Sequence, residues 1–146
     1  AAPGDWAGGI LHEDRLWFDC VAPQVAHEIC SSDGTVSGTR VETDLRPGLA
    51  SSNILSFASD GDTLFFLASG KIDGVETGST LWQSSDGEIS LAYDPWTGQN
   101  NNSASGTYGG LRMTEHHLIF AAHDGVRGHE IHVWSHGQVT DDWLIW

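Results

Sequence analysis

Positive charge is scarce in this chain: six Lys and Arg stand against twenty Asp and Glu, and the formal charge over 146 residues is −14. Nucleic-acid binding draws on clustered Lys and Arg that displace counterions from phosphates, and no such cluster exists. An anionic membrane surface asks for the same basic patches. No run approaches the about 18 apolar residues of a membrane-spanning helix, so no membrane insertion is expected. No long window repeats apolar residues at i, i+3, i+4 and i+7 either, which excludes an α-rich fold. Cysteine is limited to two residues. The spacing of Cys20 and Cys30 is not the CxxC of a redox or metal pair.

What the chain does have is Gly 18 and Trp 7, with short β-branched or aromatic runs bounded by Gly, Asp, Asn and Ser. That is the signature of an all-β protein. The length fits one domain able to bury a useful core. The acidity reads as solubility, or as loop Asp and Glu that bind a divalent cation. The opening "AAPGDW" resembles the small-residue end left by signal-peptide removal, and two cysteines able to meet suit an exported, extracellular chain.

A period of about fifty residues emerges when segments are stacked. "DRLWFDC" (14–20), "DTLFFLA" (62–68) and "HHLIFAA" (116–122) place Leu16, Leu64 and Leu118 in register, and Phe18, Phe66 and Phe120 two residues later. Each is followed by a second strand and a Gly turn, with Gly34, Gly87 and Gly137 in register. Three repeats result, approximately 1–52, 53–110 and 111–146. Each holds four short strands: 6–12, 15–21, 26–31 and 39–45; then 54–59, 63–69, 80–84 and 89–93; then 111–114, 117–122, 130–134 and 138–146. Asp-Gly pairs such as "SDGD" (59–62) tolerate the positive φ of tight hairpins.

The stretch "EICSSDGTVSGTRVETDLRPGLASS" (28–52) resembles a unit of the ELWxxDGT-repeat family of exported bacterial proteins, with Cys30 where the family has Trp. The second repeat keeps Leu81 and Trp82 but has Thr80 in place of the Glu. The third, "EIHVWSHG" (130–137), has diverged further. The resemblance covers most of the chain and implies β-propeller-like blades in an exported protein. It brings no catalytic residues with it.

The repeat alignment sets Cys20 beside Ala68 and Ala122, and Cys30 beside Trp82. If the second and third strands of the unit put Cys20 opposite Cys30, the two sulfurs come within disulfide reach; two buried free thiols are the alternative. The same register puts Ala122 opposite His132 and His136 opposite Leu118, which brings His116, His132 and His136 onto one face as a candidate Zn or Cu site. Against it, His132 and His136 are about 13 Å apart along an extended strand. The acidic Gly turns at 59–62, 71–76 and 123–130 are candidates for Ca²⁺, although none has the spacing of an EF-hand loop. The insertion "DPWTGQNNNSASGTYGG" (94–110) carries Asp94, Trp96, Asn100, Asn101 and Tyr108, an aromatic and amide set that suits sugar rings.

These features describe a non-enzymatic exported repeat protein acting in extracellular assembly, adhesion or recognition. A carbohydrate-binding, lectin-like module is the alternative, and a metal-assisted hydrolase at the histidine-rich third repeat a further one. Propellers close with about 4–8 blades and this chain supplies three, so self-association into a six-bladed pair or a filament is expected. A β-trefoil is the alternative fold that needs no partner.

Overall fold

The computed structural model describes residues 8–24, 26–96, 110–135 and 138–140. Within them the chain is all-β, and its strands form three antiparallel four-stranded sheets. The first holds β1 (Ile10–His12), β2 (Arg15–Val21), β3 (His27–Ser32) and β4 (Arg40–Thr43). The second holds β5 (Ser56–Ser59), β6 (Thr63–Ile72), β7 (Val75–Ser85) and β8 (Glu88–Tyr93). The third holds β9 (Arg112–Met113), β10 (Leu118–His123), β11 (His129–Ser135) and β12 (Gln138–Thr140). In each, neighbours in sequence are neighbours in the sheet.

Every ladder stays inside its own repeat among the described residues. A β-trefoil barrel needs strands of different repeats to hydrogen-bond to one another, so that alternative is set aside. No closed barrel or closed propeller is present among the described residues; the sheets form an open stack. The main departure from the expected strands is the β6–β7 hairpin, which runs to Ile72 and resumes at Val75. Asp73 and Gly74, at φ 50° and 80°, make the tight turn that lets both strands extend.

The register differs from expectation by two residues. Cys20 faces Glu28, and Cys30 faces Phe18. Ala122 faces Glu130 rather than His132, and Leu118 faces Trp134 rather than His136. A slip of two keeps each side chain on its face, so the alternation pattern could not reveal it. The three repeats nonetheless match: Phe18 opposite Cys30, Phe66 opposite Trp82, and Phe120 opposite His132.

The second sheet lies between the other two. Leu64, Phe66, Ala68 and Trp82 on one face pack with Trp17 and Ile29 of the first sheet. Phe65, Leu67 and Leu81 on the other pack with Leu118, Phe120 and Ala122 of the third. The stack uses one contact twice, because Leu64 is the equivalent of Leu118, and Trp17 of Phe65. The first strands lie side by side: His12 Nδ1 meets Ser59 Oγ at 2.8 Å, and Ser56 Oγ accepts the Leu111 amide at 3.0 Å.

The segment after β4 sets the first sheet against the second. Pro47 and Gly48 (φ 103°) turn the chain back, and Leu45 enters the core between the sheets. The Ser52 amide donates to His27 O at 2.8 Å, while Ser52 O accepts the Ser69 amide at 2.6 Å. One residue therefore bonds to both sheets.

Candidate functional site

The two ends of the stack are built from the same positions as its interior contacts. Leu16 holds in the first sheet the place of Leu64 and Leu118, yet it is 43% exposed where they are 0% and 1% exposed. Its cross-strand partner Leu11 is exposed as well. Phe18, half-buried, stands at the place of the fully enclosed Phe66 and Phe120. At the opposite end, Ile131 of the third sheet holds the place of Leu81 and Ile29; it is 46% exposed and they are 0% exposed. Ile119 and Ala121, half-buried, lie on the same outer face. Each end thus presents one half of the contact that the stack makes twice internally.

Cys20 and Cys30 form a disulfide on the outer face of the first sheet, with Cα atoms 5.8 Å apart. They sit diagonally across β2 and β3 rather than directly opposite, since Cys30 is paired with Phe18. A diagonal neighbour still lies within side-chain reach. Beside them Glu28 is fully buried. Its carboxylate accepts Ser52 Oγ at 2.6 Å and the Leu45 amide at 3.1 Å. Burial holds its pKa above the ordinary carboxylate value, against the pull of those hydrogen bonds. Thr80, the equivalent residue in the second sheet, instead donates to Tyr93 O at 2.5 Å.

Of the three histidines proposed as a metal set, the structure describes His116 and His132. His116 is exposed on the turn before β10, 3.8 Å from the Glu115 carboxylate. His132 is buried in the core, stacked on Phe120 at 5.6 Å between centroids. His136 lies outside the described residues. Among the described residues no group of three or more His, Cys, Asp or Glu is placed to hold a metal ion. The acidic turns use their carboxylates on their own backbone: Asp60 Oδ1 accepts the amides of Asp62 and Thr63 at 3.0 and 2.7 Å. Asp124 Oδ1 accepts those of Val126 and Arg127, both at 2.8 Å, and these bonds lower its pKa to about 2.

Of the proposed sugar-binding loop, Asn100, Asn101 and Tyr108 lie outside the described residues. Trp96 stacks on His123 with centroids 5.0 Å apart and planes 17° from parallel. Gly125 passes so close beneath that a Cβ there would come within 2.7 Å of the indole. Asp94 Oδ1 accepts the Trp96 amide at 3.1 Å. Trp96 therefore clasps the end of the second repeat to the third.

A cleft of about 500 Å³ lies between the second and third sheets, its lining including Phe65, Gln83, Leu118 and Trp134 with Asp60 and Glu115. Sequence reasoning missed it, although the signal is visible: "DRLWF" has Arg where "DTLFF" has Thr. No helix among the described residues is long and apolar enough to cross a membrane. No family model, curated protein or solved structure matches the chain.

Proposed function

We propose that this protein is a non-enzymatic, exported assembly protein whose copies join head to tail through the outer faces of the first and third sheets. The observation that carries this reading is the exposure of Leu16 and Ile131 at positions that are fully enclosed wherever the stack continues. Apolar surface left in water favours association by roughly 25 cal/mol per Å² buried. The contact is already made twice within the chain, so a third instance between chains needs no new chemistry.

Such a contact is heterologous: it closes into a ring if the rotation between sheets allows, and otherwise propagates. Two copies would supply six sheets, within the about 4–8 blades of known propellers. The resemblance of residues 28–52 to ELWxxDGT units supports the blade-like reading and a place at the cell exterior, in adhesion, recognition or assembly. The Cys20–Cys30 disulfide suits an oxidising compartment. Light scattering coupled to size-exclusion chromatography at micromolar concentration tests the proposal. Masses that are multiples of the 15.7 kDa chain are expected; a stable monomer at every concentration would overturn it.

A further inference from the structure

The contact between the first and second sheets explains the cleft between the second and third. Leu16 and Leu64 are equivalent, so Thr63 takes the place of Arg15, Phe65 that of Trp17, and Gln83 that of Ser31. In the first sheet Arg15 lies on the inner face beside Trp17. Its Nε donates to Ser31 Oγ at 2.8 Å and its Nη2 to Gly38 O at 2.5 Å. Thr63 is far shorter, and at the corresponding end of the second sheet the cleft opens.

We infer that this cleft binds a guanidinium group brought from outside the chain, in the place that Arg15 fills one sheet earlier. Phe65 and Trp134 line it and meet edge to face at 6.2 Å between centroids. Aromatic rings of this kind attract organic cations. Asp60 and Glu115 supply negative charge, with His116 of the lining 3.8 Å from the Glu115 carboxylate, and Gln83 and Thr63 supply oxygen acceptors. A planar guanidinium uses such a mixed aromatic and carboxylate lining better than a compact ammonium does.

Each Lys and Arg side chain of the chain already has a partner within it. Arg15 is held as described, Arg40 by Glu42, Arg46 and Lys71 by Glu76, Arg112 by Leu111 O, and Arg127 by Asp124. Those are its six Lys and Arg residues. A net charge of −14 also raises the local concentration of cationic ligands. The site lies within one chain, so it does not depend on assembly.

Calorimetric titration with agmatine, 1,4-diaminobutane and the peptide Gly-Arg-Gly tests the inference and separates a free small molecule from an arginine side chain. Saturable one-to-one binding of agmatine or the peptide is expected, at least about tenfold tighter than the diamine. Thr63→Arg places a guanidinium in the cleft from inside and should abolish that binding while the circular dichroism spectrum is retained. Glu115→Gln should weaken it several-fold. Three results would overturn the inference: no saturable binding to either guanidinium probe, a preference for the diamine, or undiminished binding by folded Thr63→Arg. Binding of a neutral disaccharide that Thr63→Arg removes, with no response to agmatine, would overturn it in favour of a glycan cleft.

Discussion

Glu28 and Ser52 bond to each other where the first sheet meets the segment leading to the second: Ser52 Oγ lies 2.6 Å from both carboxylate oxygens. Both residues are fully buried. They are 24 residues apart in sequence, and the fold brings them together. The bond fixes the linker whose backbone joins both sheets. Glu28→Ala leaves a buried hydroxyl and the Leu45 amide unpaired, at roughly 1–3 kcal/mol for each such group. Urea unfolding should show a loss of about 2–3 kcal/mol for Glu28→Ala and about 1–2 kcal/mol for Ser52→Ala.

The two perturbed carboxyls described above act on stability with opposite signs. Burial raises the Glu28 pKa above its ordinary 4.5, so the folded chain keeps that proton to higher pH than the unfolded chain. Its contribution is full below 4.5 and is lost as pH rises through the folded value. The Asp124 pKa falls from 3.8 to about 2, so its contribution is present above 3.8 and is lost as pH falls through about 2. Glu28→Gln isolates the first effect. As pH rises above 4.5, the stability of the wild type relative to Glu28→Gln should decline, read from urea midpoints. A rise would contradict the assignment.

The Cys20–Cys30 disulfide closes a short loop at the end of the stack. Cross-links of this size contribute roughly 2–3 kcal/mol by restricting the unfolded chain. The double variant Cys20→Ser, Cys30→Ser should lose about that much, and peptide mapping without reductant should recover the two cysteines linked. Recovery of both as free thiols would contradict the pairing.

Gly70 makes room for Trp82. A Cβ at position 70 would lie 2.3 Å from Trp82 Cζ2, in an indole whose N–H donates to Ala68 O at 3.1 Å. Gly70→Ala forces that ring out of place, and overpacking of this kind costs about 1–3 kcal/mol. Denaturant unfolding should show the loss, together with a red shift in tryptophan emission.

The strands were legible because period-two runs and Asp-Gly turns are local signals. The pairing of β2 with β3 was not, because moving Cys20 from Glu28 to Cys30 leaves every face unchanged. The role of Trp96 was hidden for another reason: its partners His123 and Gly125 belong to the next repeat, and no local pattern links them. The end faces were hidden in a third way. Leu16 and Leu64 read identically in sequence, and only the stacking order leaves one exposed and encloses the other.

Leu16 and Ile131 allow the central claim to be tested directly. Leu16→Glu places a charge on the outer face of the first sheet, and Ile131→Glu on that of the third. Both sites are exposed, so each variant should fold. Alone, each retains only one half of the head-to-tail contact and should run as a monomer of 15.7 kDa. Mixed in equal amounts, the intact first-sheet face of Ile131→Glu should meet the intact third-sheet face of Leu16→Glu and give a dimer of one copy of each, read by native mass measurement. A wild type that associates while the mixture stays monomeric, or either variant associating alone as the wild type does, would contradict the account.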